Sequence, residues 1–229
     1  MTHNKRLLLW DIDATLITSG GAGEKALHRL VQERFGEESD LRDIEIAGRT
    51  DTAIATSILC KHGVEPTPDR TAEFLEEYLT NLAELLPQVS GHVLPGVKEI
   101  LNQMRPKPER VLALLTGNLR RGAELKLRRY GLWDYFEFGA FADDHHDRNE
   151  LGAFARARAK ETHSHEFEAG RIDVIGDTGH DIACGKIFGA RTIAVATGRW
   201  TREQLALHAP DFLFDDFSHV DDVIAQLDW

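Results

Sequence analysis

Cysteine is scarce: Cys60 and Cys184 are the two in 229 residues, and they lie far apart without the spacing of a metal clip or a disulfide framework. Both read as reduced, mainly structural thiols, and a cytoplasmic location is expected. Long apolar runs are also missing. No segment reaches the roughly 18 consecutive apolar residues that span a bilayer, and Met1-Thr2-His3-Asn4-Lys5-Arg6 leads into a strand without a secretory leader. Positive charge is in deficit, with 27 Lys and Arg against 38 Asp and Glu for a formal charge of −11, and basic residues form no long run. That balance weighs against nucleic acid or a membrane surface as the main partner. Internal repeats and low-complexity segments are absent.

What is present is enough chain to bury a full core, as one large domain or as a domain with an insertion. The organising stretch is Leu7-Leu8-Leu9-Trp10-Asp11-Ile12-Asp13-Ala14-Thr15-Leu16. A short apolar run ending in two carboxylates one residue apart predicts a buried strand that delivers Asp11 and Asp13 to the rim of a sheet, where open α/β folds bind ligands. Thr18-Ser19-Gly20-Gly21-Ala22-Gly23 reads as a flexible hinge. Helices are then predicted over 22–35, from Thr50 or Asp51 to His62, and over 68–86, the last opened by Thr67 as cap and Pro68 at the first helical position.

After about residue 90 the pattern alternates. Helices are expected over 95–104, 119–130, 150–162 and 181–188 and at the end of the chain, and strands over 111–115, 138–142, 172–175, 192–196 and 212–214. The fold class is therefore α/β: a Rossmann-like parallel sheet core, residues 1–17 and 91–229, with helices on both faces. The all-helical block over 18–90 is an insertion after the first strand.

Two further strand ends carry related chemistry. Thr116-Gly117-Asn118 offers a hydroxyl and a glycine turn into a helix N-terminus, which suits an anion. Gly176-Asp177-Thr178-Gly179-His180-Asp181 brings two more carboxylates. Four acids at one rim repel one another unless a cation joins them, and oxygen-only ligands favour Mg²⁺. Simpler roles stand beside these: Thr116 as a helix cap, and Asp181 as the N-cap of a helix from 182. His145-His146 and His163-Ser164-His165 sit among charged residues with no ligand geometry, so a transition-metal site is not expected there.

These three segments, in this order and spacing, resemble the first, second and fourth motifs of the haloacid dehalogenase superfamily, in its phosphoglycolate phosphatase-like branch. The resemblance covers essentially the whole chain, including a helical cap inserted after the first motif. It implies that Asp11 attacks phosphorus to give an aspartyl-phosphate and that Asp13 protonates the leaving oxygen and later activates water. It further implies Mg²⁺ held by the Asp11 carboxylate, the Asp13 backbone carbonyl and Asp177. Thr116, with Gly117 and Asn118, would hold the phosphoryl oxygens, and Asp181 would orient the metal's surroundings. Members that dehalogenate lack an acid two residues after the nucleophile, so Asp13 points to phosphoryl transfer.

Two positions depart from the pattern. Ala14 stands where the family has glycine, and alanine does not reach positive φ cheaply. The lysine of the third motif is missing, and Arg148, before a predicted helix, is its expected replacement, with Lys126 or Lys160 as substitutes. Specificity is expected in the cap, where Arg49 would bind a carboxylate or hydroxyl of the substrate unless it is merely solvated or paired with Asp51. The expected activity is that of a Mg²⁺-dependent phosphatase acting on a small phosphorylated metabolite, as a monomer or homodimer. A sugar-phosphate mutase and a binding module that has lost turnover are the alternatives.

Overall fold

The computed structural model of the chain describes residues 5–229; Met1 to Asn4, on which the reading of a missing leader partly rests, lie outside them. The first strand, β1 (Arg6–Trp10), is buried at all five positions. Its side chains alternate between two hydrophobic clusters, Leu8 and Trp10 in one and Leu7 and Leu9 in the other. A strand buried on both faces must be covered by helices above and below.

From β1 the chain passes through β2 (Ile17–Thr18) into α1 (Ala22–Phe35), α2 (Asp51–Lys61) and α3 (Pro68–Leu85), and returns through β3 (His92–Val93). β2 and β3 pair antiparallel as a two-residue neck. They are too short to show any periodicity in sequence. The three helices turn their apolar stripes, including Leu30, Ile58, Phe74 and Leu82, into a cluster of their own. Thr50 and Thr67 cap α2 and α3 through their side chains, with Pro68 opening α3.

The remainder alternates as α4 (Val97–Met104), β4 (Arg110–Leu115), α5 (Arg120–Arg129), β5 (Phe138–Ala140), α6 (Arg148–His163), β6 (Ile172–Gly176), α7 (Gly179–Ile187), β7 (Arg191–Val195), α8 (Arg202–Leu207), β8 (Phe212–Phe214) and α9 (Val220–Leu227). The main sheet has the order β5-β4-β1-β6-β7-β8 with every pair parallel. The expected α/β class is the observed one. Helix α4 starts two residues later than expected because Gly96 takes φ 74, where an added Cβ would lie 1.7 Å from the Phe217 carbonyl oxygen. Helix α8, not anticipated, is started by a capping box between Thr201 and Gln204.

Because all six strands run parallel, Asp11, Thr116 and Asp177 leave β1, β4 and β6 at the same edge. The chain reverses its direction of travel across the sheet around β1, and that is where such folds open a crevice. At the opposite edge Asp173 is fully buried and accepts from Arg6 at 2.9 Å, from Arg191 at 2.8 Å and from Trp229 Nε1 at 2.6 Å. That network satisfies the buried charge at the edge away from the crevice.

Candidate active site

Asp11 continues β1 by donating its amide to the Ile175 carbonyl at 2.9 Å. Its carboxylate shares a buried pocket with Asp177 and Asp181, one ligand oxygen from each lying within 4.8 Å of the others. Burial raises Asp11 to about 7 and Asp177 well above the ordinary carboxylate value, and the neighbouring acids push in the same direction. The Asp177 carboxylate is 5% exposed and makes no hydrogen bond or ion pair with the described residues. Gly198 makes room for it: a Cβ there would fall 1.7 Å from Asp177 Oδ2. A compact set of hard oxygens with one carboxylate left unpartnered fits Mg²⁺.

Asp181 is differently engaged. Its Oδ2 accepts from the Thr178 amide at 3.0 Å and from Thr178 Oγ1 at 2.7 Å, while Oδ1 pairs with Arg148. Thr178, not Asp181, is the N-cap of α7, and Asp181 is the third helical residue closing a capping box. The expected helix start at 182 is therefore three residues late.

Arg148 is the first residue of α6, because Asp147 caps the helix by accepting from the Asn149 amide at 3.0 Å. That start brings a buried guanidinium to the acids: Nη2 lies 3.0 Å from Asp11 Oδ1, and Nη1 donates to the Gly48 carbonyl at 3.0 Å. Burial alone would lower its pKa, but Asp181 and Asp11 outweigh it and raise it. The two substitute cations lie elsewhere. Lys160 is exposed and pairs with Glu166 at 2.7 Å. Lys126, 3% exposed on α5, reaches Asp13 instead of Asp11.

Asp13 thus has its own environment. Its Oδ2 accepts from Lys126 Nζ at 2.5 Å and Asn118 Nδ2 at 3.0 Å, and Oδ1 from Ser19 Oγ at 3.3 Å. Burial pushes its pKa up, yet Lys126 and these hydrogen bonds leave it below the ordinary value. Sequence reading did not assign Lys126 to Asp13. The available signal was spacing, since Lys126 falls on the same buried stripe of α5 as Gly122, Ala123 and Leu127.

Thr116 is fully buried; its Oγ1 accepts from Asn118 Nδ2 at 2.8 Å and from the Asn118 amide at 3.3 Å. It does not cap α5 through its side chain, and the Leu119 amide at the helix start is served by Asp51 Oδ2 at 2.8 Å. Gly117 and Asn118 line a cavity of about 390 Å³ between the strand ends and the inserted helices. Asp11, Asp13, Asp177, Arg148, Lys126 and Tyr78 line it too. Arg49 reaches the same cavity with its side chain 43% exposed, and its ion-pair partner is Glu45 at 3.7 Å, not Asp51. The insertion is tied to the core beside it: Asp51 donates its amide to the Gly117 carbonyl at 2.7 Å, and Thr52 Oγ1 donates to the Ala142 carbonyl at 3.1 Å. His145 and His146 stack on each other at 4.5 Å. Neither belongs to the acidic triad, which is the one potential metal-binding group among the described residues.

The family model described as haloacid dehalogenase-like hydrolase matches residues 8–186. Over 220 residues the chain is 28% identical to the probable phosphatase IndB of Dickeya dadantii (strain 3937), covering 94% of this chain and 92% of that one. Over 224 residues it is 23% identical to a phosphoglycolate phosphatase of Vibrio vulnificus (strain CMCP6), with 96% of each chain covered. The crystal structure of a hydrolase from Pseudomonas syringae shares the fold with a TM-score of 0.76 at 17% identity, covering 97% of this chain and 99% of that one.

Proposed function

The chain belongs to the haloacid dehalogenase-like hydrolases, and on that premise we propose that this phosphatase hydrolyses a small phosphomonoester through an aspartyl-phosphate on Asp11. The observation that carries the reading is the division between the two carboxylates of the first strand end. Asp11 lies in the acidic cluster beside Arg148, whereas the Asp13 carboxylate is held apart by Lys126 and Asn118. The two carboxylates have separate partners, so each can serve a separate step; Asp13, ionised beside Lys126 in the free site, takes up a proton before it passes one to the leaving oxygen.

In this reading Asp11 is the nucleophile and Arg148 orients it while offering its charge to the phosphoryl oxygens. Asp13 gives a proton to the leaving oxygen and takes one from the water that resolves the intermediate. Thr116, Gly117 and Asn118 hold the phosphoryl group, and Arg49 contacts the rest of the substrate. The Asp11 carboxylate, the Asp13 backbone carbonyl and Asp177 would hold Mg²⁺, with Asp181 fixing Arg148 and the loop behind. When bound, the ion neutralises charge on the phosphoryl oxygens and on Asp11. Residues 18–90 act as a cap that excludes water over the core formed by 1–17 and 91–229. The enzyme is proposed to work in the cytoplasm as a monomer or homodimer. Among the described residues no helix is long and apolar enough to cross a membrane.

Phosphate release from a panel of small esters, with and without Mg²⁺ and with Asp11→Asn as control, tests the reading. Metal-dependent release that disappears in the control is expected. Undiminished release by Asp11→Asn would overturn the assigned nucleophile, and isomerised sugar phosphate without free phosphate would replace hydrolysis by mutase chemistry.

A further inference from the structure

Asp13 is gripped by one of its two oxygens. Lys126 Nζ donates to Oδ2 at 2.5 Å, and Asn118 Nδ2 donates to the same atom at 3.0 Å. The two donors are also bonded to each other, Lys126 Nζ giving a second proton to Asn118 Oδ1 at 2.6 Å. This ring fixes the orientation of the amide. An ammonium has only protons to give and a carboxylate only lone pairs, so the amide oxygen must face Lys126 and the amide nitrogen Asp13. Asn118 Nδ2 also donates to Thr116 Oγ1 at 2.8 Å, which leaves its side chain no free donor.

The other oxygen of Asp13 is treated differently. Among the described residues the one partner of Oδ1 is Ser19 Oγ at 3.3 Å, and a hydroxyl can turn from donor to acceptor. The Asp13 side chain is 41% exposed and lines the cavity, whereas Lys126 is 3% exposed. With Oδ2 enclosed by two donors, Oδ1 is the oxygen left to the cavity. A carboxyl group that passes a proton needs one oxygen accessible and its own rotation stopped, and the ring supplies both.

A lysine buried only to offset one negative charge would need no more than the ion pair. Here the cation also orients the amide that grips the same oxygen. We propose that Lys126 is a positioning residue: with Asn118 it clamps Asp13 through Oδ2 and so presents Oδ1 as the oxygen that exchanges a proton with the leaving group. Lys126 acts through Asp13 alone. The inference rests on the role given to Asp13 in the phosphatase reading above.

Two esters of similar size separate positioning from structural support. p-Nitrophenyl phosphate releases a phenolate stable enough to leave unprotonated, whereas p-nitrobenzyl phosphate releases an alkoxide that needs a proton. The measurement is kcat/KM, which reports the steps up to departure of the leaving group and excludes later hydrolysis of the intermediate. Lys126→Met is expected to lower kcat/KM about 10²-fold for the benzyl ester and less than about threefold for the phenyl ester. Asp13→Asn should show the same split, and adding Lys126→Met to it should cost nothing further with either ester. The double variant leaves neither charge buried without its partner, so it decides the matter even where Lys126→Met alone fails to fold. Equal losses with the two esters in Lys126→Met, or a further loss common to both in the double variant, would overturn the positioning role and keep the phosphatase. A wild type that releases phosphate from neither ester, nor from the panel above, would remove the phosphatase reading and this role with it.

Discussion

Arg148 Nη2 stands 3.0 Å from Asp11 Oδ1 and makes a second ion pair, from the same nitrogen, with Asp181. One buried cation thus ties two acids together, and its charge opposes the burial that raises Asp11 to about 7. The planar guanidinium can do this while Nη1 reaches across to the Gly48 carbonyl in the insertion at 3.0 Å.

Arg148→Ala is accordingly expected to lower kcat by about 10²–10³-fold, the cost of removing a group that stabilises developing charge in a dry site. Arg148→Lys should recover only part of that loss, because an ammonium supplies the charge without the fork. Steady-state phosphate release from the two proteins checks both statements. Full turnover by Arg148→Ala would remove Arg148 from the chemistry.

Ala14 carries a different strain. It sits at φ 58, the left-handed region, at the turn where its amide donates to the Ile17 carbonyl at 2.7 Å. A non-glycine residue there costs about 1–2 kcal/mol. Ala14→Gly relieves it, at about 0.5–1 kcal/mol of added chain entropy in the unfolded state. The variant should be about 0.5–1 kcal/mol more stable in urea unfolding. A lower midpoint would mean that the methyl group packs well enough to outweigh the strained turn.

The strand ends were legible in sequence because a buried parallel strand must end abruptly, and the polar residues after 115 and 175 stop the apolar runs at the sheet's rim. Arg148 was legible for a local reason, as the one arginine just ahead of a predicted helix in the segment where the family pattern wants a cation. Lys126 was obscured by its company, since Arg120, Arg121, Arg128 and Arg129 make α5 look like a solvated basic helix. Tyr78 has no signal of its own in sequence, because its place beside Lys126 on the cavity wall exists only where α3 and α5 meet in space. Asp181 was displaced from N-cap to third helical residue by Thr178, a difference of three positions that periodicity does not resolve.

Asp51 supplies a pH signature away from the acidic triad. Buried at the start of α2 with Oδ2 on the Leu119 amide at 2.8 Å, it is pushed up to about 6 from 3.8, chiefly by burial, although Lys126 and that hydrogen bond pull it back. The folded protein then binds this proton more tightly than the unfolded chain, so the group adds stability as pH falls from about 6 toward 4 and withdraws it as pH rises through 6. Tighter proton binding of that size is worth about 3 kcal/mol at most. Asp51→Asn removes the titration and keeps an acceptor for Leu119. Urea unfolding at a series of pH values should therefore show wild type gaining about 2–3 kcal/mol on Asp51→Asn between pH ~7.5 and ~4. Asp11 and Asp177 titrate in both proteins and cancel in that difference. Parallel profiles would show that Asp51 keeps an ordinary carboxylate affinity for its proton, and that Lys126 and the α5 amide fully compensate its burial.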